Sequence, residues 1–174
     1  MTDRLRSLME KIPGYGGYLK REARRDSDKK LRVSIADAFS SQANRLNRVQ
    51  EQLLMRGDFE SMEALDRIIM RLQHLSDRIR TATYGFSGLF DQDKVDEAAL
   101  DRMYLFDLQL AEGVEKTADL IAQLGIQNDR TEMIHQLRLK VDELHETFDQ
   151  RGNHIKSTPT YSGGRVVETP VDAY

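Results

Sequence analysis

The sequence predicts an all-α protein, an elongated antiparallel helical bundle with coiled-coil-like packing. Three observations predict it. Charged residues make up 32% of the 174 and mean hydropathy is −0.60, the balance of helices with broad solvated faces. The three prolines, Pro13, Pro159 and Pro170, leave the long middle of the chain free of helix breakers. Through that middle, apolar residues recur in steps of three and four.

The elements follow in order. Residues 2–11 form a short amphipathic segment, with Leu5, Leu8, Met9 and Ile12 at helical spacing. Pro13 ends it, because the residue before proline avoids the helical region. A long first helix is expected from about Tyr18 to Met55, about 57 Å at 1.5 Å per residue. Its stripe is Leu31, Ile35, Phe39, Gln42, Leu46, Val49 and Leu53. Gly57 closes it and Asp58 can cap the second helix, expected from Asp58 to about Thr83 with Met62, Leu65, Ile69, Leu72, Ser76 and Ile79. The third helix is expected near Asp93 to Leu124, with Leu100, Met103, Asp107, Leu110, Val114, Ala118 and Ile121. Gly125 ends it. Asn128 can cap a fourth, carrying Ile134, Leu137, Val141, Leu144 and Phe148. All four stripes read as narrow, the pattern of helices that pack nearly parallel and interdigitate. Short links after Met55 and Leu124 make helices one and two antiparallel, and likewise three and four. The long first helix must overhang its partner, with its polar stretch Lys20 to Lys30 as the overhang. After Gly152 the composition turns to Ser, Thr, Pro and Gly, so residues 1–151 are expected as one bundle domain and 152–174 as a flexible, disordered tail.

Composition narrows the function. There is no cysteine, which excludes disulfides, zinc ribbons and thiol catalysis. Net charge is −3 and the pI is near 5.8, so the molecule as a whole is not an electrostatic binder of nucleic acid. No apolar run reaches the roughly 18 residues of a membrane span, and the N-terminus lacks a continuous apolar stretch of signal-peptide type. The expected location is cytoplasmic.

Two loops concentrate glycine and aromatic residues. The first runs Ile12-Pro13-Gly14-Tyr15-Gly16-Gly17-Tyr18, and the second Tyr84-Gly85-Phe86-Ser87-Gly88-Leu89-Phe90-Asp91. Glycine permits shaped turns, and aromatic rings supply contact area at low entropic cost. The first motif, with Lys20-Arg21-Glu22-Ala23-Arg24-Arg25-Asp26-Ser27-Asp28-Lys29 after it, resembles the N-terminal signature of a family of small bacterial helical proteins. The segment Asp77 to Phe86 with Gly88 to Asp91 matches a second signature of that family, and Leu100 to Leu108 a third. The resemblance covers about residues 10–120. It implies a helical fold and a bacterial cytoplasmic origin, and supplies no catalytic residues. Some relatives carry a zinc ribbon; this chain has no cysteine, so no metal role carries over.

Asp107 is the most informative single residue. It interrupts an apolar stripe between Met103 and Leu110, where an ionised carboxylate is costly unless paired. Arg80 and Tyr84 are the expected partners, with Gln42 and Ser76 in the same polar layer. Glu132 and His135 have the i, i+3 spacing of di-iron bundles, and Asp142 and His145 repeat it, but all four lie on one helix and cannot face each other across one metal. His74 and His154 have no companions. Gly14, Gly16 and Gly17 followed by Lys20 and Arg21 could aim amides at an anion, yet the spacing is not that of a dinucleotide loop and no strand precedes it. Lys20 to Arg32 holds seven cations and three acids, and reads first as a solvated face, with an acidic partner, anionic lipid headgroups or RNA as the alternatives. No catalytic, cofactor or metal residues are expected, and no small-molecule substrate. The expected function is non-enzymatic binding of another protein, or of a second copy, through a surface of Tyr15, Tyr18, Lys20, Arg21, Arg24, Arg25, Tyr84, Phe86 and Phe90. The alternative is attachment to an anionic membrane surface through the N-terminal amphipathic and basic segment.

Overall fold

The computed structural model describes residues 24–82, 97–126, 130–157, 160–162 and 165–167. Among these residues the protein is an all-α bundle of four helices. They are α1 (Arg24–Met55), α2 (Met62–Thr81), α3 (Glu97–Leu124) and α4 (Arg130–Ser157). Two three-residue strands follow, β1 (Thr160–Ser162) and β2 (Arg165–Val167), paired antiparallel with Tyr161 opposite Val166.

Local chemistry sets the turns. At the end of α1, Gly57 adopts φ +82°, which a side chain would resist. Its N–H donates to Leu54 O at 3.0 Å, and Asp58 N–H reaches back to Leu53 O at 3.1 Å. This is the Schellman arrangement, which satisfies the orphan carbonyls of a helix end. Asp58 does not cap α2 directly, because that helix starts at Met62. Instead its carboxylate accepts from the backbone N–H and the hydroxyl of Ser61, both at 3.2 Å, and fixes the residue before the helix.

The helices form two antiparallel hairpins, α1–α2 and α3–α4, laid side by side. α1 packs on α3, and α2 on α4, while the diagonal pairs scarcely meet. Arg71 pairs with Asp142, and seven residues later on both helices Arg78 pairs with Asp149, so α2 and α4 run parallel. It follows that α1 and α3 also run parallel. Both hairpin turns therefore lie at one end of the bundle. The start of α1, the end of α2, the start of α3 and the end of α4 lie at the other.

Each helix thus has two neighbours, and its buried face is wider than the narrow stripe expected. α2 buries Ile68 and Leu75 beside Leu65, Ile69, Leu72, Ser76 and Ile79. α4 buries Met133 beside Leu137, Val141 and Leu144. Phe39, Leu46 and Leu53 of α1 and Leu110 and Ile121 of α3 complete the core. Small residues allow close approach. A Cβ on Gly113 would run into Leu144 Cδ2 and lie 3.3 Å from its Cγ, so α3 and α4 close up there.

One boundary differs from expectation. Helix α4 continues past Gly152 to Ser157, and a β-ribbon follows, so the change of composition at 152 does not end the helix. Five residues after Gly152, four of them polar, extend a helix already anchored by packing, which overrides composition. Arg32 lies level with the end of α2, and the eight described residues of α1 before it extend about 12 Å beyond; residues 18–23 of the expected helix lie outside the described residues.

Candidate interaction end and its buried polar groups

The end without hairpin turns is held by two buried arginines. Arg32 of α1 is 4% exposed. Its guanidinium donates to Ala82 O at 2.7 Å and approaches Ile79 O at 3.5 Å. These are carbonyls at the C-terminus of α2, where the helix dipole favours a cation. One side chain thus ties the start of α1 to the end of α2.

Asp107 of α3 is 1% exposed and its partner is Arg151 of α4, not Arg80. Arg151 Nε donates to Oδ1 at 2.7 Å and Nη2 to Oδ2 at 3.3 Å, a two-point pairing that the guanidinium fork suits. Arg80 is drawn instead to Asp37 on α1, at 2.8 Å on the surface. Tyr84 lies outside the described residues. Arg45 Nη1 donates to Ala118 O at 3.4 Å and sets the register of α1 against α3. About three turns earlier on both helices, Asp107 comes level with the Arg32 region. The two arginine clamps therefore occupy one layer at the same end.

Ser76 and Gln42 do not join the Asp107 pair. Ser76 Oγ donates to Ala36 O at 2.8 Å across α1–α2. Gln42 lies about two turns further along α1, and its Oε1 is buried with no hydrogen-bond partner among the described residues.

Where α2 meets α4, the contact between the hairpins carries a polar seam. Arg71 meets Asp142 at 2.8 Å, and Arg78 meets Asp149. Arg78 also stacks over the Phe148 ring, 4.9 Å from its centroid. His145 is buried between them. Its Nε2–H donates to Arg71 O at 3.1 Å, which leaves Nδ1 to accept from Arg78 Nη1 at 3.3 Å. The ring stacks on His74 with centroids 5.7 Å apart. Burial pushes the His145 imidazole below its ordinary pKa. The charges of Arg71 and Arg78 and the neighbouring His74 push the same way, while the hydrogen bond to Arg71 O acts against them.

Sequence reasoning missed Arg32, Arg151 and His145. Arg32 hides in a run of cations that reads as a solvated face, and Arg151 sits where the composition turns polar. His145 does carry a signal, since it follows Leu144 and precedes Phe148 on the apolar side of α4. His135 is exposed, and among the described residues no three metal-binding side chains gather.

Of the expected interaction residues, Arg24 and Arg25 open the first turn of α1. Tyr15, Tyr18, Lys20, Arg21, Tyr84, Phe86 and Phe90 lie outside the described residues. What the described residues fix is where those segments attach. Residue 24 follows the first aromatic segment and Ala82 precedes the second, and the Arg32 clamp puts both attachment points at one end of the bundle. No described helix is long and apolar enough to cross a membrane. Comparison of the chain with known protein families, curated proteins and solved structures gives no match.

Proposed function

We propose that the protein is a non-enzymatic binding module that takes a protein partner at the end carrying the two arginine clamps. The observation that carries this reading is the Arg32–Ala82 bond. It holds the points from which the chain continues towards segments 12–18 and 84–91 at one end of the bundle, where Lys29 and Lys30 are exposed. Tyrosine, phenylalanine and arginine are the usual anchors of interfaces. The described buried charges support the same reading, because their bonds are structural. Arg151 engages both oxygens of Asp107, and His145 uses both ring nitrogens to join the hairpins.

A pulldown from the native cell with two bait variants tests the proposal. Tyr15→Ala with Phe86→Ala should lose the partner captured by the wild-type chain at unchanged thermal stability. Charge reversal at Lys20, Arg21, Arg24 and Arg25 should lose the same partner. A large fall in stability with the partner retained would make the rings a cap on the core and overturn the proposal. Binding of the wild-type chain to anionic vesicles that the charge reversal abolishes, with no protein captured by any bait, would favour membrane attachment instead.

A further inference from the structure

The opposite end of the bundle has a surface of its own. Seven large apolar side chains are well exposed among the described residues. Met70, Leu105 and Leu139 stand singly on three different helices, which is ordinary for a protein surface. The other four lie at the hairpin tips, Leu54, Met55 and Phe59 on the first and Ile126 on the second. Met55 is 87%, Phe59 71% and Ile126 84% exposed. Asp58 in the first turn meets Arg130 at the head of α4 at 3.1 Å, which brings the two tips side by side. The first tip is a built turn, closed by the Gly57 arrangement and the Asp58–Ser61 bonds, so a defined backbone presents these side chains. An apolar cluster of this kind marks a contact site.

Its rim is acidic. Residues 51–67 carry five acids against two arginines, and Glu51, Glu60, Glu63 and Asp66 are exposed. The other end of the molecule has the reverse character. Residues 20–32 carry seven cations against three acids, and Lys29 and Lys30 are exposed on α1. Along α1, residues 30 and 55 are about 38 Å apart at 1.5 Å rise. The exposed lysines of α1 therefore cannot reach the tip of their own molecule. Those of a second molecule placed end to end can.

We propose that the hairpin tip, through Met55, Phe59 and Ile126, docks the basic N-terminal end of a second copy of this chain. In the contact, the exposed Lys29 and Lys30 at the basic end of one copy face the acidic rim around the tip of the next. The two patches differ, so the contact is head to tail and extends into short rows rather than closing as a symmetric dimer. The proposal rests on reading the basic end as a binding surface.

Light scattering on the full chain tests it. At low salt the mass should rise with concentration from 20.1 kDa past that of a dimer, and high salt should return it to one chain. A tip variant, Met55→Asp with Phe59→Asp, changes exposed positions and should fold, as circular dichroism would verify. A basic-end variant reverses charge at Lys20, Arg21, Arg24 and Arg25. Each alone should remain at the mass of one chain. Mixed, they should form a one-to-one pair of twice that mass and nothing larger, since one intact tip meets one intact basic end. A wild-type chain that stays monomeric at all concentrations overturns the proposal, and so does a dimer that neither variant disrupts. A monomeric chain that still captures a different protein through its basic end overturns the tip contact while leaving the proposed function intact.

Discussion

Replacing Asp107 by alanine removes one half of a buried ion pair and leaves the other half in place. Arg151 is 4% exposed, so its guanidinium cannot recover water without moving α4. Stranding one partner of a buried pair costs about 3–5 kcal/mol. For a chain of 174 residues, each kcal/mol lowers the melting temperature by roughly 2–4 °C, so the variant should melt about 6–20 °C early. Urea unfolding followed by circular dichroism would give the free energy, and calorimetry the temperature. The complementary variant, Asp107→Leu with Arg151→Met, removes both charges and fills the space with apolar atoms. Such exchanges are often neutral or stabilising by about 1–4 kcal/mol, so the double variant should recover most of the loss. The cycle separates pairing from packing. An Asp107→Ala midpoint equal to wild type would refute the reasoning, because it would mean that Arg151 reaches solvent or another partner at no cost.

His145 makes stability depend on pH. Its pKa is depressed in the folded state, so its contribution is fully present above the unfolded value of about 6.5 and is lost as pH falls through 6.5 towards the folded value. His145→Gln, which keeps a donor for Arg71 O, should flatten the fall in melting temperature between pH 7.5 and 5.5; an unchanged slope would assign that fall to other groups. Gly113→Leu should overpack the α3–α4 contact against Leu144 and cost about 1–3 kcal/mol in urea unfolding. Truncation after Ser157 should leave the melting temperature close to that of the full chain. Truncation after Arg151 should lower it, because the last turns of α4 that hold Arg151 in place are lost.

The four helices were legible because their buried positions repeat where a helix must bury them. Phe39, Leu72, Leu110 and Val141 are core residues at positions periodicity alone marks. The second row of buried residues was not legible as core. Ile68, Leu75 and Met133 are buried because each helix touches two others, and the number of neighbours is a property of the assembly rather than of one helix. Asp107 announced itself by breaking a stripe, but its partner did not. Arg151 is 44 residues away on a helix whose end composition disguised. Arg32 shows the same limit, since a buried cation in a basic run reads like its exposed neighbours Lys29 and Lys30. The acidic, apolar tip was visible as residues but not as a surface, because the turn carrying Ile126 comes to the same end as Met55 and Phe59 only when the hairpins stand side by side.

The central claim is that the end held by Arg32 and Asp107–Arg151 binds a partner. Photo-crosslinking tests it most directly, with a photoreactive phenylalanine placed at Tyr15 or at Phe86 in the full chain inside its native cell. The account predicts that both positions crosslink to the same second polypeptide, and that charge reversal at Lys20, Arg21, Arg24 and Arg25 abolishes both products. Crosslinks that form only within one chain, from both positions and in every variant, would contradict it and make the aromatic segments a cap on the bundle.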